Sequence, residues 1–108
     1  MYGVLVWVNN NSFPYFSYVF MKNPRDLEKY FKGVANHRRI GILNLVDQNP
    51  NITVEGISEK LECDFQVAAV HTQKLSRFGL INKKYIGRSV GHAISPYGKK
   101  FLAFIQSL

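Results

Sequence analysis

The carboxyl-terminal part of the chain contains cations and no anions, a pattern that indicates a polyanionic partner. The chain has 14 Lys and Arg and 7 Asp and Glu, and every acid precedes residue 65. The net charge of +7 therefore lies entirely within residues 65–108. It is carried by Lys74, Arg77, Lys83, Lys84, Arg88, Lys99 and Lys100. Because an ordinary solvated surface mixes both signs, this segment is better explained by contact with double-stranded DNA.

Nine residues of this part have side chains suited to DNA. Gln suits a bidentate contact with adenine, and Ala or Val can meet the methyl group of thymine. Lys and Arg suit phosphates or the minor groove. The candidate DNA-binding residues are Gln66, Val70, His71, Gln73, Lys74 and Arg77 in a predicted helix, and Lys83, Lys84 and Arg88 in a predicted hairpin.

The sequence contains none of the motifs that would indicate catalysis. It lacks a nucleophile elbow, a phosphate-binding glycine loop, paired carboxylates and HExxH, so neither an enzyme nor a cofactor is expected. His37, His71 and His92 do not form a close group with a carboxylate at the spacing of metal ligands, so no metal site is predicted within one subunit. A metal site shared between two subunits remains an alternative. Cys63 is predicted to be a small buried side chain rather than a ligand or redox switch.

Two helices are predicted before the cationic part. Asn23-Pro24 starts the first, with Asn as the cap and Pro at the first helical position. Its apolar stripe comprises Leu27, Tyr30, Phe31, Val34 and Ala35. Asn36 can cap the second helix, which ends at residues 49–51. Its buried side is expected to comprise Ile40, Leu43, Leu45 and Val46, with Ile42 at the margin.

A helix-turn-helix and a hairpin are predicted next. Thr53 caps a short third helix, Asp64 caps a fourth that runs to about Phe78, and Gly79 can adopt the left-handed conformation that stops it. Residues 80–85 and 90–95 read as two strands joined by a turn that contains Gly87. This order of elements places the fourth helix in a DNA major groove and the hairpin beside it as a wing.

The last helix is expected to help form a homodimer. It starts at Ser95-Pro96, and its apolar residues cover more than one narrow stripe, which is typical of a helix that packs beyond its own domain. The predicted dimer interface comprises Leu27, Tyr30, Phe31 and Val34 of the first helix with Phe101, Phe104, Ile105 and Leu108 of the last. A two-fold axis would set the two fourth helices about one DNA turn apart.

These segments resemble the ArsR/SmtB family of winged helix-turn-helix transcriptional regulators. Residues 35–43 (ANHRRIGIL) resemble its A-N-P-T-R-L-R-I-L segment, and residues 53–61 resemble its S-V-x-E-L-A-E-x-L helix. Val70-His71, Leu75 and residues 78–81 (FGLI) resemble the H-H-L-K-x-L…A-G-L-V end of its recognition helix. Residues 87–90 (GRSV) and 94–98 (ISPYG) resemble its wing G-R-x-V and its L-T-P-E-G exit. The resemblance covers residues 24–108.

The sequence departs from this family at three places. His37 replaces the usual Pro, and Thr72 stands where the family has a core Leu. The Ser/Thr-rich start of the recognition helix is replaced by residues 65–69 (FQVAA). The resemblance implies a mainly α winged helix-turn-helix fold and a homodimeric regulator of transcription. Repression is the expected mode of regulation, and whether a small-molecule effector controls it stays open.

The first 21 residues fall outside the resemblance. Residues 2–21 lack charge, and residues 3–8 and 13–20 read as strands of a hairpin or arm; the alternative is an upstream extension with Met21 as the natural start. They suit neither a signal peptide nor a membrane span. The expected domains are therefore 1–21 and 22–108.

A single cysteine fits a reducing cytoplasm. The alternative function is a winged-helix module that contacts another protein without binding DNA.

Overall fold

The computed structural model describes residues 3–7, 14–18 and 22–108. Five helices lie in the described part: α1 (Pro24–Val34), α2 (His37–Gln48), α3 (Val54–Leu61), α4 (Phe65–Arg77) and α5 (Pro96–Gln106). Four strands form two antiparallel hairpins: β1 (Gly3–Trp7) with β2 (Pro14–Tyr18), and β3 (Ile81–Ile86) with β4 (Ser89–Ile94). This order confirms the predicted winged helix-turn-helix.

The amino-terminal hairpin has the predicted pairing over shorter strands. Gly3 lies opposite Tyr18 and Trp7 opposite Pro14. The predicted strand ends at residues 8, 13, 19 and 20 and the proposed start at Met21 lie outside the described residues. The division into 1–21 and 22–108 stays a prediction.

Helices α1, α2, α3 and α5 begin at predicted caps whose side chains accept from backbone N–H groups that a helix leaves unpaired. The Asn36 side chain accepts hydrogen bonds from the N–H groups of Arg38 and Arg39 at 2.9 and 3.2 Å. The Thr53 hydroxyl accepts from the N–H of Gly56 at 3.1 Å. These contacts fix the start of α2 and of the helix-turn-helix.

The core surrounds α2, and this corrects one prediction. Ile42 was expected at the margin, but it is fully buried together with Leu43 and Val46, whereas Ile40 and Leu45 are only half-buried. The reason is that α2 contacts every other helix and also β4, so its buried surface is not one stripe. The buried cluster comprises Val34, Ile42, Leu43, Val46, Ile52, Ile57, Ala68, Leu75, Leu80, Ile81 and Leu102.

Thr72 lies in this core, as expected for a residue that stands where the resembled family has a core Leu. It is 1% exposed, and its hydroxyl has no hydrogen-bond partner among the described residues. Burying an unpaired hydroxyl is unfavourable because the group loses its hydrogen bonds to water.

Thr72→Val should therefore raise the free energy of unfolding by about 1 kcal/mol, because valine has the same shape without the hydroxyl. Thr53→Val is the matched control, since it removes a hydroxyl that caps α3, and it should lower that free energy by about 1 kcal/mol. Urea denaturation measures both. Equal destabilisation by the two substitutions would contradict the burial of an unsatisfied hydroxyl at residue 72.

Candidate nucleic-acid interface

Helix α4 is positioned by one buried side. Ala68, Thr72 and Leu75 face the core, and the chain leaves the helix through Gly79, whose φ is +77°. Asp64 precedes the helix as predicted, but its side chain makes no capping hydrogen bond. The helix therefore starts at the predicted residue, although Asp64 does not make the predicted capping hydrogen bond. The exposed carboxylate of Asp64 lies at the amino terminus of α4.

The opposite side of α4 presents a row of exposed side chains. Gln66, Val70, Gln73 and Arg77 follow one another at spacings of four, three and four residues. At about 100° per residue these positions fall within an arc of about 60°. All four are exposed, and Lys74 lies beside them, also exposed. The candidate DNA-binding residues of α4 other than His71 thus share one solvent face.

The wing is a tight hairpin fixed to the segment before α3. Its loop is Gly87-Arg88, with φ of +60° at Gly87. The N–H of Asn51 donates to the carbonyl oxygen of His92 at 2.9 Å. His92 is 2% exposed and donates through Nδ1 to the carbonyl oxygen of Ile52 at 3.0 Å. This anchoring role of His92 was not predicted, since its partner lies 40 residues away in the chain.

A groove separates α4 from the wing. It consists of two adjoining hollows of about 260 and 300 Å³, both lined by Val54 and Val90. Gln73 and Lys83 line one hollow, and Arg88 lines the other. Recognition-helix and wing candidates therefore meet across this groove. Lys84 follows Lys83 in β3, so it points to the other face of the hairpin.

The ion pairs lie away from α4 and the wing. Among the described residues, the ion pairs are Lys29–Asp26, Lys32–Glu28 and Lys99–Asp47. These pairs involve α1, α2 and α5. The five basic residues of α4 and the wing have no ion pair in the described part of the chain: Lys74, Arg77, Lys83, Lys84 and Arg88. Because residues 65–95 also contain no acid, the five positive charges of α4 and the wing are not offset within these elements.

His71 differs from the other candidates because it is half-buried and held by Arg39. The Arg39 guanidinium donates to the carbonyl oxygens of Gly33 and Lys32 at 2.7 and 3.2 Å, and to Nδ1 of His71 at 3.1 Å. Since arginine can only donate, Nδ1 must accept and the imidazole is neutral. One side chain therefore joins the carboxyl end of α1 to the recognition helix.

Burial lowers the pKa of His71 below its ordinary value, and the nearby charges of Arg39, Lys74, Arg38 and His37 lower it further. In the unfolded chain the imidazole takes up its proton at about pH 6.5. Between that pH and the lower pKa of the folded protein, the unfolded state binds more protons. The contribution of His71 to stability is therefore complete above about pH 6.5 and falls as the pH drops below it.

We expect the free energy of unfolding of the wild-type protein to fall relative to that of His71→Gln between about pH 8 and about pH 5. Glutamine can still accept from Arg39 but does not titrate. Urea denaturation of both proteins across this range measures the difference. A constant difference would contradict the neutral, arginine-bound imidazole.

Helices α1 and α5 present the aromatic surface predicted for dimerisation. Tyr30 stacks on Tyr97 with ring centroids 4.6 Å apart, and Phe31 meets Phe101 edge-on at 5.0 Å. Phe31, Phe104 and Leu108 are 55%, 59% and 88% exposed. Of the remaining interface candidates, Leu27, Tyr30, Phe101 and Ile105 are half-buried, and Val34 lies in the core of the subunit.

The described residues include no group of three His, Cys, Asp or Glu side chains that could hold a metal ion. Cys63 is half-buried against the core. None of the described helices is both long and apolar enough to cross a membrane.

The geometry matches known winged helix-turn-helix structures. HlyU from Vibrio cholerae N16961 is 28% identical, with a TM-score of 0.66 over 79% of this chain and 89% of that one. Mb0332 from Mycobacterium bovis, described as a homodimeric winged helix-turn-helix DNA-binding domain and a possible ArsR-family transcriptional regulator, is 25% identical, with a TM-score of 0.70 over 77% of each chain. The transcriptional regulator SlyA is 22% identical, with a TM-score of 0.64 over 77% of this chain and 63% of that one, which shows the shared fold.

No protein-family model and no curated protein sequence matches the chain. The structural similarity confirms the predicted resemblance to ArsR/SmtB-like winged helix-turn-helix regulators, and SlyA shares the same fold.

Proposed function

We propose that the protein is a homodimeric, sequence-specific DNA-binding regulator of transcription that acts as a repressor. The observation that carries this proposal is the presence of five cations and no acid on α4 and the wing, beside an uncharged row of Gln and Val. The similarity to Mb0332, described as a homodimeric DNA-binding domain, supports it. A protein that occupies an operator can repress by excluding other proteins from that DNA.

In this proposal α4 enters the major groove. Gln66, Val70 and Gln73 face the bases, because residues on the exposed side of a recognition helix reach base edges. His71, held by Arg39 beside this row, supports the helix. Lys74 and Arg77 lie further along α4 and hold phosphates. Lys83, Lys84 and Arg88 bring the wing against the backbone or the minor groove.

The proposed dimer forms through α1 and α5. The exposed rings of Phe31 and Phe104 border a hollow of about 260 Å³ that Phe101 and Lys100 also line. A second copy would remove this apolar surface from water. Residues 22–108 form the DNA-binding domain in this proposal, and residues 1–21 form an arm. We also propose that the protein binds its partner without catalysing a reaction, and that it acts in the cytoplasm.

Selection of bound sequences from random duplexes tests the function directly. The expected product is an inverted repeat whose half-sites are about 10 base pairs apart from centre to centre. Light scattering of the free protein should give the mass of a dimer at micromolar concentration. If no sequence is enriched from the pool, the protein is not a sequence-specific regulator.

A further inference from the structure

The hollow that Gln73 and Lys83 line between α3, α4 and the wing also contains buried polar side chains. Its volume is about 300 Å³, which lies at the small end of the range for ligand pockets. Thr72 and His92 line this hollow and are buried, whereas Gln73 and Lys83 are exposed. A duplex does not contact side chains that are nearly inaccessible to solvent, so DNA binding leaves the two buried polar groups unexplained.

Thr72 has an unsatisfied hydroxyl group. This hydroxyl has no hydrogen-bond partner among the described residues. Its burial costs free energy because the group loses its hydrogen bonds to water. A ligand that forms a hydrogen bond with Thr72 would remove this cost, and a small molecule can enter where a duplex cannot.

His92 supplies a hydrogen-bond acceptor to the same hollow. A carbonyl oxygen can only accept, so the contact with Ile52 at 3.0 Å places a proton on Nδ1 of His92. In the neutral ring, Nε2 then carries a lone pair. Nε2 has no hydrogen-bond partner within the part of the chain that the structure describes. The ring can therefore accept a hydrogen bond from a hydroxyl group of a ligand.

The rest of the lining is apolar, apart from Gln73 and one cation. Val54, Ala69 and Val90 line the hollow and are half-buried. Lys83 lies directly opposite His92 in the hairpin, so its cation belongs to the same end of the hollow as the imidazole. A ligand that matches these groups has a carboxylate for Lys83, a hydroxyl for His92 and a short aliphatic body for the apolar wall.

We propose that this hollow binds a small aliphatic hydroxy acid and that the bound acid releases the protein from DNA. The carboxylate pairs with Lys83 and accepts from the Thr72 hydroxyl, and the hydroxyl of the ligand donates to Nε2 of His92. Gln73 and Lys83 are also proposed DNA-binding residues, so the acid and the duplex compete for them. The release from DNA rests on the proposed function, whereas the binding of the acid does not.

2-Hydroxy-4-methylpentanoate is a suitable probe because it has one carboxylate, one hydroxyl and a branched aliphatic body. Isothermal titration calorimetry with the free protein should give a dissociation constant of about 1 mM or below, as expected for a ligand of this size. 4-Methylpentanoate lacks the hydroxyl and should bind about tenfold more weakly, because Nε2 of His92 is left unpaired. 2-Hydroxy-4-methylpentanamide lacks the charge and should bind a few-fold more weakly, because Lys83 is exposed.

Thr72→Val should bind the probe at least about tenfold more weakly, although we expect it to be more stable than wild type. The substitution removes the buried hydroxyl and leaves the exposed face of α4 unchanged. Thr53→Val is the matched control, because residue 53 lies outside this hollow, and it should bind the probe as wild type does. Wild-type affinity in Thr72→Val, or no binding of the probe to the wild-type protein, would overturn the proposal.

Fluorescence anisotropy with a duplex from the selection tests the release from DNA. At about ten times its dissociation constant, the probe should weaken DNA binding about tenfold for each site that the duplex blocks. Sodium chloride at the same concentration controls for ionic strength, and Thr72→Val should bind the duplex normally but lose most of the response. Unchanged DNA affinity would overturn the competition. A wild-type protein that binds the probe but no duplex would contradict the proposed function and leave the ligand site standing.

Discussion

Replacing Lys74, Lys83, Lys84 and Arg88 by Gln should weaken duplex binding at least about a thousandfold at roughly 0.1 M salt, because a dimer loses eight cations from α4 and the wing. All four residues are exposed and have no ion pair within the described part of the chain. Their replacement should therefore leave the fold intact. Anisotropy measures the affinity, and urea denaturation verifies that stability is retained.

A matched control removes the same charge elsewhere. Arg25, Lys29, Lys32 and Lys99 are exposed on α1 and α5, and three of them have acidic partners. Exposed ion pairs contribute about 1 kcal/mol or less, so replacing these four residues by Gln should preserve the fold. We expect less than about a tenfold loss of DNA affinity, since distant charges are screened beyond about 10 Å. If both variants bind equally, the surface does not contact DNA, and the alternative of a protein-interaction module is favoured.

Gly98→Ala should destabilise the protein by about 3 kcal/mol or more, because an added methyl group has no room there. A Cβ at residue 98 would overlap the carbonyl oxygen of Leu80. That oxygen accepts from the N–H of Ser95 at 3.0 Å, and the Ser95 hydroxyl donates to the carbonyl oxygen of Gly79 at 2.6 Å. Moving α5 away would break these contacts between the base of the wing and α5.

Gly41→Ala is the control for this substitution. Gly41 lies within α2, and a Cβ there would meet only a side-chain atom of Leu61 at 3.5 Å, an ordinary contact. Alanine has the higher helix propensity, so this variant should be more stable by roughly 0.5–1 kcal/mol. Thermal melting of both variants measures the effects. A Gly98→Ala protein as stable as wild type would contradict the close packing of α5 on Leu80.

The elements were predictable from sequence because their signals are local. The caps at Asn36, Thr53 and Ser95 each accept the hydrogen bonds expected of them. A cap acts within three residues, so tertiary contacts rarely overrule it. The glycine after α4 has the predicted left-handed conformation for the same reason.

Features that depend on distant residues were not predictable. The burial of Ile42 reflects the elements that surround α2, which periodicity within one helix does not reveal. Arg39 and His71 are 32 residues apart in the chain, so their contact leaves no local pattern. The charged candidates for DNA contact follow from the one-sided charge of the sequence, and their role stays a prediction. The exposure of Tyr85 and Ile86 at the wing tip required the structure, since apolar residues in a strand are usually taken as core.

The most direct test of DNA binding by the cationic surface is a salt titration of the wild-type protein with the selected duplex. If the dimer neutralises about six to ten phosphates, log affinity should fall against log salt with a slope of about −5 to −9. A slope near zero would mean that the cations of α4 and the wing release no counterions, and it would contradict the account.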